Sequence, residues 1–451
     1  MNYVLLSIIL IAFDVYQAQI VSITVNGINT NKAVLFSLQG EKTFFVDSVK
    51  SSQKDKFNYK FEQTEHHTGI YRLQFNNNKR IDFIYDGEEV NISADANNIS
   101  DSVTVNTSEF NKLFYSFVNL NKQYKTKTEL LQLILVRYPK NDDYYISTRN
   151  KLARLQKQYL EFVNIISQKD PNNFIARYIR SSQLPVVDFT LPLDKQLAFL
   201  KAHALDKVDF SNSGLIYSDL FTNKTIEYLT YYRNPQLPKE LLEKEFMFAV
   251  DSILNKAKVN QLVYQHITEY MIDGFKKFGL DQTLDYIIQN YVIKDDLCLD
   301  SKTESSIQRR IDQNKKLPVN AVAPNIILPD TDGKVIELKK IVADKLLIVF
   351  YASWCPHCKN LIPELNNFYR NQTEKKFEVM AISLDDKKED WLNFIKNNNL
   401  NWVNVSDLKG WGSKAALDYF VYATPTMFLL DSERKILGKP LSIGELKQQL
   451  K

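Results

Sequence analysis

Hydrophobic and polar positions along this chain follow three rhythms in succession. From Ile20 to about Asn106 they alternate with a period of two, as side chains on the two faces of a strand do. The alternating segments are 33–38, 43–49, 57–61, 70–75, 80–85 and 90–94, and 20–25 reads as a first strand. Turn signals separate them: Asn26-Gly27, Gln39-Gly40, Asn76-Asn77-Asn78 and Asp86-Gly87. Short strands at this spacing predict a small antiparallel β-sandwich over residues 20–107. His66-His67 falls in this region. Neighbouring residues on a strand point to opposite faces, so the pair reads as an exposed turn before Gly69 and not as a metal site.

From Ser108 the period becomes 3.6. Apolar residues three and four apart run through 110–136, 144–166, 173–179, 197–204, 215–231, 239–257, 261–278 and 280–293. The breaks carry Pro139, Pro171, Pro185, Pro192, Pro235, Pro238 and Gly279. This pattern predicts an all-α domain over 108–317. Its many Tyr and Phe residues read as packing.

From about Leu317 strands and helices alternate. Strands are expected at 346–351, 377–384, 426–430 and 434–439, and helices at 356–370, 387–398, 411–420 and 443–450. That order predicts an α/β domain with a mixed sheet over 318–451. Three domains also suit the length of 451 residues.

The N-terminus carries a different pattern. Residues 4–13 are an apolar run of the length found in secretory signals, too short for the ~20 residues that span a bilayer. Residues 1–19 are therefore expected to be an export signal, although they hold no Lys or Arg and Tyr16 is large for the −3 position. No cysteine lies there to carry a lipid. The mature chain is expected in the periplasm or cell envelope. A net charge of +4 is close to neutral for this length and gives no reason to expect a nucleic-acid partner. Six Asn-x-Ser/Thr triplets are what an Asn-rich chain produces by chance, and nothing is assigned to them.

Cysteine usage sharpens the picture most. Of three cysteines, two stand in Trp354-Cys355-Pro356-His357-Cys358, between an apolar β-prone run and a helical one. A Cys-x-x-Cys at a strand-to-helix junction is the pattern of a thiol–disulfide exchange site. At a helix N-terminus, unpaired N–H groups and the dipole favour a Cys355 thiolate. Pro356 then sits at a first-turn position where its missing N–H costs nothing. The ring of His357 adds positive charge nearby. A zinc half-site is disfavoured, because no second cysteine pair exists and structural zinc takes four ligands. The third cysteine, Cys298, lies in the acidic stretch Asp295-Asp296-Leu297-Cys298-Leu299-Asp300 and reads as structural or incidental.

The C-terminal region resembles the thioredoxin fold, and within it the TlpA-like envelope thioredoxins. The resemblance rests on Phe350 through Cys358, on Pro363, on Thr424-Pro425-Thr426, and on Phe428-Leu429-Leu430-Asp431, and covers the last third of the chain. It implies that Cys355 attacks a substrate sulfur, that Cys358 resolves the mixed disulfide, and that Trp354, Pro356 and His357 shape the site. It implies a cis Pro425 that leaves the Thr424 backbone free to pair with an extended peptide. It further implies a reductase or isomerase of protein thiols and disulfides, a membrane-embedded electron donor, no metal, and no cofactor beyond the Cys355–Cys358 disulfide. The Pro-His dipeptide pulls the other way, since it resembles that of strongly oxidising members.

Two positions depart from the family. Thioredoxin carries a buried Asp six residues before its first cysteine, where this chain has Val349. Many TlpA-like proteins carry a Glu three residues after the second, where this chain has Leu361, the nearest acid being Glu364. No base for Cys358 is visible. The residues 20–107 and 108–317 resemble, less specifically, uncharacterised β and helical domains found beside TlpA-like thioredoxins. Two alternatives stand beside the exchange enzyme. A thiol peroxidase would want Thr or Ser where Ala352 stands. An envelope binding module would use the first two domains to grip a partner and the cysteines only secondarily.

Overall fold

Alternation over the N-terminal region becomes eight strands: β1 (Ile20–Asn26), β2 (Lys32–Gln39), β3 (Lys42–Gln53), β4 (Lys56–Lys60), β5 (Gly69–Gln74), β6 (Arg80–Tyr85), β7 (Val90–Asp95) and β8 (Thr104–Thr107). The structure is a computed structural model and describes residues 20–61, 66–75, 79–299, 305–372 and 377–450. The expected export segment and the turn at Asn76-Asn77-Asn78 lie outside these residues. The strands are hydrogen-bonded in the order β6-β5-β2-β3-β4-β1-β7-β8. β3 joins the two halves, pairing with β2 from Lys42 to Lys50 and with β4 at Ser51 and Gln53. The apolar residues of both halves (Val21, Leu35, Phe57, Tyr71, Phe83 and Val90 among them) share one core.

Two expectations are corrected here. The strands are not all antiparallel: β1 runs parallel to β7, with Val21 opposite Val90. A period of two is the same in either direction, and the long chain between β1 and β7 lets β7 return either way. Nor is His66-His67 an exposed turn. The His67 ring stacks on Tyr217 at 3.5 Å between centroids and on Tyr71 at 5.6 Å, and burial lowers its pKa. Tyr217 comes from a distant 3-10 turn, Ser213–Tyr217, so local sequence did not reveal the contact.

The helical stretch begins where side chains can cap it. Ser108 accepts from the Asn111 N–H ahead of the helix Glu109–Arg137, Asp142 from Tyr144 ahead of Asp143–Lys169, and Asn173 from Ala176 ahead of Phe174–Ser182. The run expected as one helix over 215–231 is broken. Ser218 is extended, and its carbonyl accepts from the Gly40 N–H instead of continuing a helix. Beyond it run the helices Leu220–Thr230, Lys239–Ala257 and Gln261–Lys277.

By compactness the chain forms two units, one ending at Gly274 and one running from Phe275 to Lys451. The boundary expected at 317 falls inside the second unit. Its helix Ser305–Lys316 buries Ile307, Arg310, Ile311 and Gln313. The unit is built on five strands in the order β13-β12-β11-β14-β15, namely Val403–Val405, Glu378–Ser383, Lys345–Tyr351, Thr426–Asp431 and Ile436–Gly438. β11 is central, parallel to β12 and antiparallel to β14, and its residues from Leu346 to Tyr351 are all buried. A strand covered on both faces reads as a continuous apolar run, which is why it stood out in the sequence. A short hairpin, β9 (Ile327–Pro329) and β10 (Val335–Glu337), and the strand β13 were not anticipated. Three-residue strands carry too little alternation to be read. With the helices Pro356–Arg370, Lys388–Asn397 and Ile443–Gln449, this is a thioredoxin-like arrangement. Among the described residues no helix is long and apolar enough to cross a membrane.

Candidate active site

β11 ends at Tyr351, and the chain turns so that the Cys355 N–H donates to the Ala352 carbonyl at 3.2 Å. Cys355 is the N-cap of the helix Pro356–Arg370, with Pro356 in its first turn. Its sulfur accepts from the Cys358 N–H at 3.4 Å, so the thiol does what a capping Ser or Asp oxygen does elsewhere. Cys355 keeps 4% of its surface exposed and Cys358 none. Both are free thiols, as is the exposed Cys298.

The two sulfurs experience opposite fields. Burial pushes the Cys355 thiol up, but hydrogen bonds from the Thr424 side chain, the Cys358 thiol and the N–H groups of Cys358 and His357 outweigh it, and the pKa lies below the ordinary value. For Cys358, burial and the Cys355 thiol beside it push the pKa up to about 12. His357 thus acts on Cys355 through its backbone N–H, while its ring is exposed.

Thr424 comes to this helix end from just before β14, the antiparallel neighbour of β11, where Thr426 stands opposite Phe350. Its peptide bond to Pro425 is cis, and its carbonyl accepts from the Cys355 Sγ at 3.2 Å. Thr426 fixes the loop by donating to the Ala423 carbonyl at 2.7 Å. Trp354 is half exposed beside Cys355, and its ring lies 6.4 Å from that of Trp411, which is also exposed. The structure thus brings Trp354, Cys355, Pro356, His357 and Cys358 to one place with Thr424 and Pro425.

Two neighbours were missed by sequence reasoning. Trp411 is one; its only signal was a large aromatic between Gly410 and Gly412 in a polar stretch. The other is Asp385. It is 1% exposed, and its carboxylate accepts from the Ser353 N–H at 3.1 Å, the Ser353 hydroxyl at 2.7 Å and the Ser383 hydroxyl at 2.6 Å. A buried carboxylate with this many donors is fully committed. It clamps the residue two before Cys355 to the end of β12. The signal was available: Tyr351 pairs with Ser383, so the C-terminal ends of β11 and β12 lie side by side, and an acid just past one strand reaches the turn after the other. The positions where an acid was sought hold none. Val349 is fully buried between Ala381 and Met427 of the neighbouring strands, Leu361 packs on the core, and Glu364 is exposed. Among the described residues no group of three or more His, Cys, Asp or Glu side chains could hold a metal ion.

A capped, hydrogen-bonded sulfur with a lowered pKa beside a buried one with a raised pKa can attack a disulfide and then resolve the product. The model of the AhpC/TSA family matches residues 319–438. The thiol-disulfide oxidoreductase ResA of Bacillus cereus is 33% identical over 137 residues, which are 30% of this chain and 76% of that protein. Among solved structures, a thiol-disulfide oxidoreductase from Bacteroides fragilis is 32% identical with a TM-score of 0.26, covering 28% of this chain and 98% of that one. A thioredoxin-like protein from Bacteroides caccae is 20% identical with a TM-score of 0.40, covering 59% of this chain and 97% of that one. Carrying the dithiol of this site and that degree of identity across most of ResA, the chain belongs to the ResA-like, TlpA-type thiol–disulfide oxidoreductases.

Proposed function

We propose that this chain is an exported enzyme that reduces or rearranges disulfides of cell-envelope proteins through Cys355 and Cys358. The observation that carries the proposal is the opposed pair of thiols, one held below the ordinary cysteine pKa and one pushed up to about 12. The Cys355 thiolate attacks one sulfur of the substrate disulfide. The substrate S–S bond breaks, a Cys355–substrate disulfide forms, and the leaving thiolate takes up a proton. Cys358 then gives up its proton and attacks the Cys355 sulfur, releasing the second substrate thiol and leaving a Cys355–Cys358 disulfide. Two electrons pass to the substrate, and a membrane-embedded donor returns them by reducing that disulfide. No metal and no other cofactor takes part.

Trp354, Pro356 and His357 shape the surface around the sulfur, and Thr424 and Pro425 receive the substrate backbone. Export rests on the apolar run at 4–13, and the proposed compartment is the periplasm or cell envelope. In this reading the eight N-terminal strands of residues 20–107 fold over as a sandwich; with the helical residues that follow, up to 317, they hold substrates or position the redox domain at 318–451. The shared core of the two strand sets supports the sandwich.

The test is a Cys358→Ser chain expressed in its native compartment. It should retain protein partners as mixed disulfides on Cys355, identifiable by mass spectrometry. Recovery of no thiol-linked partner would sink the proposal. Equilibration with glutathione assigns the direction: a potential near about −270 mV supports a reductase, one near about −120 mV an oxidase.

A further inference from the structure

Thr424, whose carbonyl meets the Cys355 sulfur at 3.2 Å, belongs to a stretch, 421–425, that is neither helix nor strand. Ladder hydrogen bonds therefore do not fix most of it. The helix Ser305–Lys316 grips the residues just before it. Gln313 donates from Nε2 to the carbonyls of Tyr419 at 3.1 Å and Phe420 at 3.3 Å. Lys316 Nζ lies 4.5 Å from the centre of the Phe420 ring, and the Arg310 guanidinium carbon 4.6 Å from that of Tyr422. The Arg310 side chain is 5% exposed and pairs with Asp285 and, at 3.1 Å, with Asp281. All these residues lie in the unit from Phe275 to Lys451.

We propose that Arg310 is a positioning residue for thiol exchange: together with Gln313 it sets the run 419–422 so that Thr424 meets the Cys355 sulfur. The inference rests on Cys355 being the attacking sulfur. Stability alone is a poor account of the arrangement, because a buried ion pair is seldom better than apolar side chains of the same size. Geometry is a better one. The guanidinium is a planar fork whose N–H groups are held by the carboxylates of Asp285 and Asp281, with its carbon 4.6 Å from the centre of the Tyr422 ring, so it ties the position of Tyr422 to a fixed group. A lysine in its place keeps the charge and loses the plane.

The experiment uses the full chain with Arg310→Lys, and with Gln313→Leu as a second variant that leaves the Arg310 ion pairs untouched should the first fail to fold. Leu446→Ala, a core truncation in the terminal helix of the same unit, serves as a control for lost stability. Two readouts are taken: the pH midpoint for iodoacetamide alkylation of Cys355 in the reduced protein, and the rate of exchange with a protein disulfide such as insulin. Arg310→Lys and Gln313→Leu should shift the midpoint by about half a pH unit, because Thr424 both accepts from the Cys355 thiol through its carbonyl and hydrogen-bonds the sulfur through its side chain. They should slow exchange about tenfold. Leu446→Ala should lower the melting temperature and leave the midpoint in place. A fall in melting temperature with midpoint and rate unchanged in both brace variants overturns the inference. A wild-type chain that exchanges no disulfides would overturn the proposed function, while the alkylation midpoint would still decide the brace.

Discussion

Cys355 and Cys358 differ in what their sulfurs touch, and that difference can be measured. Cys355 receives the Thr424 side chain as well as two backbone N–H groups. Thr424→Val keeps the shape and removes the hydroxyl. A hydrogen bond to a charged group is worth ~1.5–3 kcal/mol, so the alkylation midpoint of Cys355 should rise by about one pH unit. An unchanged midpoint would mean that the helix N-terminus and the Cys358 thiol stabilise the thiolate without Thr424. Cys358 makes a prediction of the other sign. Burial pushes its pKa in the folded chain up to about 12, above the ordinary thiol value near 9. The neutral thiol is what the fold favours, so its contribution is intact below about pH 9 and is lost as pH rises toward about 12. Denaturation of the reduced protein should show stability falling across that window more steeply than in Cys358→Ala. Parallel curves would show that other groups cause the alkaline loss.

Elements, not single residues, explain Asp385. β11 and β12 are parallel neighbours in register, so their C-terminal ends deliver the turn at 352–355 and the acid at 385 to the same edge of the sheet. Asp385→Asn halves the acceptors offered to Ser353 and Ser383 and strands a buried donor; a loss of about 2–3 kcal/mol in chemical denaturation is expected. Ser353→Ala removes only the hydroxyl bond to the carboxylate and should cost about 1.5 kcal/mol, less than Asp385→Asn. Equal losses for the two would mean that the carboxylate serves the hydroxyl alone and not the backbone of the turn. The same scale shows what periodicity could and could not deliver. The helix Pro356–Arg370 and the buried strand β11 were legible because each is long, regular and bounded by a turn. The helix expected over 411–420 was not. It divides into the turn Gly410–Gly412 and the short helix Lys414–Asp418, and Phe420 then adopts a φ of 49°, which helical spacing does not report.

At the scale of the molecule, the second unit begins well before its sheet. The helix Ser305–Lys316 contributes two buried isoleucines, Ile307 and Ile311, besides Arg310 and Gln313. Burying each isoleucine is worth ~1.5–3 kcal/mol. A fragment of residues 275–451 should therefore unfold cooperatively and exceed a fragment of 318–451 by at least about 3 kcal/mol in urea. Equal stability of the two fragments would make the helix an appendage. The sequence alone drew the line at 317 because the change of rhythm falls there. Rhythm reports what kind of element a residue joins, whereas compactness depends on which core its side chain enters.

What the sequence by itself determined is local. Strand, turn and helix around Cys355 follow from a run of β-prone apolar residues, a proline fit for a first helical turn and an amphipathic continuation, all contiguous in the chain. What the tertiary structure decided is which distant groups meet the sulfur of Cys355 and hold the turn and loop around it. Thr424 lies 69 residues from Cys355, Asp385 lies 32 from Ser353, and Gln313 lies 106 from Tyr419. Those meetings depend on strand order and register and on the packing of a helix from before the sheet. Pairing across a sheet is set by the whole set of neighbouring strands, and no window of sequence around the cysteines contains that information.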